Sequence, residues 1–221
     1  MEFKNDTELF DLMSEKLYAA VISDSLDKIG IRNNAMRHDI RPLYPEAVVV
    51  GRALTVLCVD IYEVLPEPYK MEMESVDSLK PNDVLVASTN RSIRTCFWGE
   101  LLSTAARARG ARGAVIDGFT RDTKQIIDMR FPVFATGISA VDSSGRSEVI
   151  AYNTTIECGD VLVNPGDIVF GDYDGVVVIP QGVEKEVIEA ALEKVSGENL
   201  TRDELRKGVK LMEVYKKYGV L

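Results

Sequence analysis

Two segments of the chain combine residue types that can hold and polarise a small carboxylic acid. In the first, Gly99 opens a helical pattern, so a ligand can approach closely and the free amides of a first helical turn suit a carboxylate. In the second, Arg121 offers a fork of N–H donors that fits a carboxylate or an enolate oxygen. Asp122 offers a hard oxygen ligand for Mg²⁺ or Mn²⁺. By residue type alone, an adjacent Arg–Asp pair is more often a surface loop or a local ion pair.

Other reactive residue types lack the partners that their chemistry needs. Cys58, Cys96 and Cys158 are far apart and form no CxxC pair, which predicts free thiols and no zinc site. The single histidine, His38, lies among charged residues without a nucleophile, as is typical of a surface or structural residue. Lys124 could form a Schiff base, but nothing around it indicates the apolar pocket that such chemistry needs.

The composition of the 221-residue chain is that of a globular protein, with 46% hydrophobic and 28% charged residues. The 35 acidic residues outnumber the 26 basic ones, and the net charge of −9 argues against a nucleic-acid partner, which needs basic surface. No basic segment followed by an apolar stretch marks a signal peptide, and no apolar run approaches the roughly 20 residues of a membrane helix. We therefore expect a cytoplasmic protein with no membrane partner.

The middle of the sequence alternates between strand and helix patterns. This β-α-β-α-β order is typical of an α/β fold with parallel strands, whose sites lie at the carboxyl ends of those strands. The predicted strands cover residues 84–87, 114–116 (closed by Asp117 and Gly118) and 131–135, and the predicted helices run from near Gly99 to Gly110 and over residues 123–129.

The flanking regions predict helices at both ends and an antiparallel β region. A first helix, capped by Asp6 or Thr7, extends to Ile22, and a second begins at Ser23 and ends at Gly30. Residues 47–62 predict a strand with a break at Gly51, and five short strands between residues 149 and 179 predict antiparallel pairing. Amphipathic helices are predicted over residues 183–195 and 200–218. We expect one domain, residues 1–221, with N-terminal helices in 1–30 and a helical tail in 183–221.

Four stretches form a recognisable set: residues 21–30, 98–102, 113–122 together with 131–135, and 164–167 running on to 171–180. Together they resemble the RraA-like family (regulator of ribonuclease E activity A-like), which includes 4-hydroxy-4-methyl-2-oxoglutarate and 4-carboxy-4-hydroxy-2-oxoadipate aldolases. The resemblance covers most of the chain. It implies a three-layer α/β/β sandwich, similar to swivelling domains, with C-terminal helices. It also implies assembly as a homotrimer or homohexamer with sites between subunits.

The resemblance implies a role for each residue of these motifs. Arg121 would contact the keto or enolate oxygen of a pyruvate unit, and Asp122 would bind the metal directly. Gln125 stands where the family pattern has an acidic residue; its neutral amide can hold a metal-bound water but contributes no charge. Glu198 matches a position that in some members reaches the metal waters of a neighbouring subunit. The amides that would hold the pyruvate carboxylate are those of Gly99, Glu100, Leu101 and Leu102.

These roles imply a divalent-metal-dependent lyase of the class II aldolase type. It would use Mg²⁺ or Mn²⁺ to cleave a 4-hydroxy-2-keto acid into pyruvate and a second carbonyl compound, and oxaloacetate decarboxylation would accompany this through the same enolate. No side chain stands out as the base, so a metal-associated water is expected to take the C4 hydroxyl proton. Two alternatives stay open: a non-catalytic, protein-binding regulator of the ribonuclease-inhibitor type, and a metal-dependent lyase or isomerase acting on a sugar-derived keto acid.

Overall fold

The computed structural model describes residues 4–219, and this part of the chain forms seven helices and eleven strands. The helices are α1 (Asp6–Lys16), α2 (Ala19–Lys28), α3 (Lys70–Asp77), α4 (Glu100–Ala108), α5 (Thr123–Asp128), α6 (Glu184–Arg206) and α7 (Leu211–Tyr218). The strands are β1 (Arg41–Pro42), β2 (Val49–Asp60), β3 (Asp83–Ser88), β4 (Cys96–Trp98), β5 (Gly113–Thr120), β6 (Val133–Ile138), β7 (Ser147–Tyr152), β8 (Ile156–Cys158), β9 (Val161–Val163), β10 (Ile168–Asp172) and β11 (Gly175–Ile179).

Nine of these strands form one mixed sheet that nearly closes on itself. Its order is β1-β6-β5-β3-β2-β10-β11, with β4 beside β5 and β7 beside β2. Strands β2, β3, β5 and β6 run parallel, while β1, β7, β10 and β11 pair antiparallel, as the sequence pattern predicts for the two halves. The two ends of the sheet meet where the Arg41 guanidinium donates to the carbonyl oxygens of Tyr173 and Asp174.

Helices cover the curved sheet on two outer faces. On one face α3, α4 and α5 pack on the parallel strands through a core that contains Ile116 and Ile126. The inner side of the sheet encloses a second core around Phe134. On the other face α1, α2 and α6 pack against β10 and β11, with Phe10 and Phe170 in the third core. This arrangement confirms the predicted α/β/β fold with C-terminal helices.

The N-terminal helices differ from their prediction in where they begin and end. Asn5, not Asp6 or Thr7, caps α1, because its side chain accepts a hydrogen bond from the Glu8 amide. The chain becomes extended at Leu17, so the predicted first helix does not reach Ile22, and Ser23 lies inside α2. The first amide of α2, that of Ala19, donates to Asp172 at 2.8 Å. A partner distant in sequence therefore starts this helix, and a local pattern does not reveal it.

Two predictions about strands were also wrong: a break within β2 and the position at which β5 ends. Strand β2 runs without a break through Gly51, where a Cβ atom would lie 2.3 Å from the Asn82 carbonyl oxygen. The glycine therefore permits close strand packing and does not interrupt the strand. Strand β5 continues through Asp117 and Gly118 to Thr120. Asp117 stays within the strand because the buried carboxylate pairs with Arg37 and accepts the Gly159 amide hydrogen bond.

The C-terminal tail contains one long helix where the sequence predicts a break. Helix α6 passes through Gly197 and ends near Gly208, which adopts the left-handed conformation at φ +85°. A glycine inside a helix costs only about 1 kcal/mol, which the packing of Val187, Ile188 and Ala191 readily offsets. Among the described residues, no helix is both long and apolar enough to cross a membrane.

Candidate active site

The end of β5 brings Arg121 and Asp122 beside the start of α4. Strand β4 pairs with β5 immediately before α4 begins. The Arg121 amide donates to the Trp98 carbonyl oxygen at 2.9 Å, and the Thr120 hydroxyl donates to the same oxygen at 3.0 Å. Two segments separated in sequence are therefore fixed against each other by hydrogen bonds to one backbone carbonyl, and the parallel strand arrangement explains why the sequence pattern could place them together.

Gly99 is the N-cap of α4 and lets the Asp122 carboxylate approach the helix terminus. A Cβ atom at position 99 would lie 2.8 Å from Asp122 Oδ2, which is closer than real Cβ contacts. The Glu100 amide donates to this same oxygen at 3.2 Å. The amides of Leu101 and Leu102 belong to the same first turn and have no partner within the helix, so they remain available to an anion.

Asp122 is held in an uncommon backbone conformation. Its φ of +55° lies in the left-handed region, which aspartate tolerates better than most residues, and α5 begins directly after it. Its side chain is 42% exposed, and no hydrogen bond from residues 4–219 reaches Oδ1. Gln125 lies one helical turn later with an exposed side chain, on the same side of α5 as Asp122. Asp122 therefore presents a carboxylate oxygen to solvent, with an amide nearby.

The Asp122 carboxylate and the nearby Gln125 amide offer oxygen ligands that fit a magnesium or manganese ion. Mg²⁺ keeps several waters and is commonly held by one or two carboxylates together with oxygens of its substrate. Asp122 supplies such a carboxylate, whereas the Glu100 carboxylate accepts from the Thr104 hydroxyl at 2.7 Å, one turn along α4. Within residues 4–219 no three His, Cys, Asp or Glu side chains converge as a ligand set. A metal at this position would therefore depend on Asp122, water and substrate, with Gln125 able to hold one of the waters.

A chain of polar contacts fixes the Arg121 side chain, and the sequence pattern did not reveal it. Arg121 Nη2 lies 3.0 Å from Asp142 Oδ1, and the Tyr69 hydroxyl donates to Asp142 Oδ2 at 2.6 Å. The Ser144 amide donates to Asp142 Oδ2 at 2.9 Å. Burial would raise the pKa of Asp142, but the hydrogen bonds from Tyr69 and Ser144 and the charge of Arg121 outweigh it, so the net pKa is lowered. Asp142 is therefore an ionised anchor for the guanidinium.

Glu72 is a second residue of this region that the sequence pattern missed. It lies in the first turn of α3, one turn before buried Ser75 and Val76, on the side of the helix that faces the protein. Burial raises the pKa of Glu72 to about 8; the charges of Asp142 and Glu148 act in the same direction, and Arg121 opposes them. At neutral pH this carboxyl is therefore mostly protonated.

We expect the raised pKa of Glu72 to make the folded protein less stable as the pH rises. The unfolded chain ionises Glu72 near its ordinary pKa of 4.5, whereas the folded chain keeps the proton to about pH 8. Between these values the folded state binds more protons, so the free energy of unfolding falls with rising pH. The free energy of unfolding, measured with urea near pH 5 and near pH 8, should fall between these two pH values. Glu72→Gln should reduce this fall. The control is Glu74→Gln, which removes an exposed carboxyl of the same helix; identical slopes for both variants would contradict this.

Glu198 does not lie near Asp122 within one copy of the chain. It belongs to α6, which packs with α1 and α2 on the face of the sheet opposite to α4 and α5. There its carboxylate accepts a hydrogen bond from Tyr18 and lies 3.9 Å from Arg202. Any contact of Glu198 with the metal waters of Asp122 would therefore require a second subunit.

The remaining reactive residue types lie in ordinary environments. Cys58, Cys96 and Cys158 are buried free thiols, and burial raises the pKa of each. A raised pKa disfavours the thiolate, so none has the character of a nucleophile. Lys124 is exposed and forms an ion pair with Asp128 one turn later in α5, which agrees with a surface role.

Comparison with known proteins gives a consistent result. The RraA-like family model, described as Aldolase/RraA, matches residues 19–178. A relative from Halalkalibacterium halodurans named "Putative 4-hydroxy-4-methyl-2-oxoglutarate aldolase" is 30% identical over 194 residues, which cover 88% of this chain and 87% of the relative. An uncharacterized protein from Pseudomonas syringae pv. tomato has a similar structure, with a TM-score of 0.83 at 26% identity over 96% of this chain and 99% of that one.

A third similar protein carries a different description. Streptomyces coelicolor RraAS2, an unusual member of the RNase ES inhibitor RraA protein family, has a TM-score of 0.79 at 26% identity. The match covers 91% of this chain and 99% of that one. Proteins described as aldolases and as ribonuclease inhibitors therefore share this architecture, so the activity must be argued from the site.

Proposed function

This chain belongs to the RraA-like family, and we propose that it is a divalent-metal-dependent carbon–carbon lyase that cleaves a 4-hydroxy-2-keto acid to pyruvate and a second carbonyl compound. One observation carries the proposal: the Arg121 guanidinium, the Asp122 carboxylate and the first-turn amides of α4 converge at one place. These are the groups needed to bind a 2-keto acid and to stabilise the negative charge of its enolate. Oxaloacetate decarboxylation should accompany the cleavage, because it passes through the same enolate.

In the proposed reaction the chain's own groups bind and orient the pyruvate unit. The amides of Leu101 and Leu102 hold the carboxylate at the positive end of α4. Arg121 donates to the 2-keto oxygen, and this interaction strengthens as the bond between C3 and C4 breaks and charge moves onto that oxygen. Asp142 and Tyr69 keep the guanidinium in one orientation, so little reorganisation is needed during the reaction. A metal held by Asp122 would supply Lewis-acid polarisation of the keto group.

The experiment that tests this function is a search for pyruvate release. Purified protein is incubated with a panel of 4-hydroxy-2-keto acids and with oxaloacetate, with and without Mg²⁺ or Mn²⁺. Metal-dependent pyruvate formation from at least one 4-hydroxy-2-keto acid supports the lyase. Activity on sugar-derived keto acids within the panel would assign the substrate to that class.

A ribonuclease-binding regulator is the second candidate function. The likeness to RraAS2 and the neutral Gln125 beside the proposed metal ligand favour it, because the site then carries less negative charge to hold a metal. Absence of pyruvate release from the whole panel, together with binding to a ribonuclease at micromolar concentration, would make it the leading account.

We expect a homotrimer or homohexamer in solution. The C-terminal helices α6 and α7 leave large apolar side chains exposed, which a partner subunit would bury. Light scattering should therefore give three or six times the 24.5 kDa chain mass, and a monomer at micromolar concentration would contradict this. The exposed side chains are Leu200, Leu211, Met212 and Tyr215.

Asp142→Asn should lower kcat by up to about 10², because a misplaced catalytic group can cost that much. The neutral amide keeps the size of Asp142 but loses the charge that holds Arg121 at 3.0 Å. Tyr69→Phe removes only one hydrogen bond to Asp142, worth about 1 kcal/mol, so its loss should stay within roughly 10-fold. Steady-state kinetics of both variants provide the measurement, and a greater loss for Tyr69→Phe than for Asp142→Asn would contradict the assigned order.

A further inference from the structure

We propose that Glu72 is the acid that protonates the enolate carbon, so that the enzyme releases pyruvate in its keto form. This inference rests on the proposed lyase function. It assigns a residue to a proton-transfer step for which neither the family resemblance nor the sequence pattern supplies one. It depends on a cluster of groups around Arg121, contributed by α3, by the segment after β6 and by β7. The members of the cluster are Tyr69, Glu72, Asp142 and Glu148.

Glu72 lies on α3 one turn after Tyr69, whose hydroxyl bonds the Asp142 carboxylate that pairs with Arg121. Helix α3 packs against β7 and α4, the helix whose first turn would bind the substrate carboxylate. Within residues 4–219 the Glu72 carboxyl makes no hydrogen bond or ion pair, whereas Asp142 is bonded to Arg121, Tyr69 and Ser144. Asp142 is therefore committed to holding Arg121, and Glu72 is free to exchange a proton.

The charges around Glu72 favour its protonated form. Asp142 and Glu148 lie close enough to oppose a third negative charge, and the positive charge of Arg121 only partly offsets this. Buried Cys58 on β2 also faces Glu72, and its thiol contributes no charge because burial raises its pKa. Arg107, the cation within α4, lies over the Phe131 ring, and Arg109, directly after α4, pairs with Asp77 at the far end of α3. A site that makes an enolate at neutral pH therefore has a neutral carboxylic acid beside it, which is the form needed to donate a proton.

The proton transfer needs only Glu72, the enolate and solvent. After the bond between C3 and C4 breaks, the enolate holds its electron pair across C3 and the C2 oxygen. The O–H bond of Glu72 breaks, a C–H bond forms at C3, and the oxygen lone pair restores the C2 carbonyl to give pyruvate. Glu72 remains as a carboxylate, which takes a proton from solvent before the next turnover. The reverse steps remove a C3 proton from bound pyruvate.

Deuterium exchange into pyruvate isolates this step from carbon–carbon cleavage. In D₂O with Mg²⁺ or Mn²⁺, the wild-type protein should replace the C3 hydrogens of pyruvate, as followed by proton NMR. Glu72→Gln should slow this exchange by about 10²-fold or more, the usual contribution of a positioned acid–base group. Carbon dioxide release from oxaloacetate should fall by less than about 10-fold, since forming the enolate there does not require the C3 acid. Glu74→Gln, on the exposed side of α3, should leave both rates unchanged.

The outcomes separate this inference from the proposed function. Exchange by Glu72→Gln within a few-fold of wild type would overturn the role of Glu72 while leaving the lyase intact. Absence of exchange and of pyruvate release in the wild type would overturn the lyase itself. The pH dependence gives a second test that needs no variant. Wild-type pyruvate release should decline as the pH rises through about 8, where Glu72 loses its proton, and a rate that stays level up to about pH 10 would also overturn the assignment.

Discussion

Arg121→Lys should lower kcat by about 10²–10³, although the positive charge is retained. Arginine presents a planar fork that can donate to the keto oxygen while bonded to Asp142, whereas the lysine ammonium is a point charge on a flexible stem. The loss should appear mainly in kcat, because full charge on that oxygen develops only near the transition state. KM should change little, since the amides of α4 still hold the substrate carboxylate.

The measurement is a comparison of steady-state parameters for pyruvate release or oxaloacetate decarboxylation. Arg206→Lys is a matched control, because this exposed arginine is the last residue of α6 and, among residues 4–219, pairs with Asp203 in the preceding turn. It should behave as wild type. A value of kcat for Arg121→Lys within about threefold of wild type would show that the guanidinium geometry does not contribute to catalysis.

Asp122→Asn should abolish activity at ordinary metal concentrations, with partial recovery when metal is in large excess. The amide oxygen can still accept the Glu100 amide hydrogen bond, so the α4 terminus should remain capped while the site loses its negative charge. Replacing residues that merely support metal ligands costs roughly 10–100-fold in affinity, and loss of a direct ligand should cost at least as much. EDTA should likewise abolish wild-type activity.

Metal titration of activity and calorimetric titration of Mn²⁺ measure this effect. Asp128→Asn is the control, because it removes an exposed carboxylate at the end of α5 that, within the described part of the chain, pairs with Lys124. Gln125→Glu tests the neighbouring position in the opposite direction and should tighten metal binding by adding charge. Equal metal affinity in Asp122→Asn and wild type would place the metal elsewhere.

The sequence pattern predicted those site residues whose positions follow from the arrangement of the parallel strands. Gly99, Arg121 and Asp122 occur in motifs at the ends of adjacent parallel strands, so their convergence follows from the α/β pattern. Asp142, Tyr69 and Glu72 come from a loop and from a helix in other parts of the chain. They meet Arg121 only through tertiary packing, and among 35 acidic residues nothing in local sequence distinguishes Glu72 or Asp142.

The same distinction explains the errors in the fold prediction. Apolar periodicity continues across Leu17 and Tyr18, so it could not reveal the break that the Asp172 contact with the Ala19 amide stabilises. Gly197 looks like a helix end, but the next glycine, Gly208, is the one in the left-handed conformation that terminates α6. Periodicity gave the type and order of the elements that it predicted, but it missed α3, β1 and β4. The ends of the predicted elements were set by contacts distant in sequence.

The most direct test of the central claim is proton exchange at C3 of pyruvate by the wild-type protein, because it requires no knowledge of the natural aldol substrate. Pyruvate is incubated in D₂O with the protein and Mn²⁺, and loss of the methyl signal is followed by proton NMR. We expect exchange that EDTA abolishes and that Arg121→Lys and Asp122→Asn strongly reduce. No exchange above the rate with Mn²⁺ alone would contradict an enolate-stabilising site at Arg121 and Asp122.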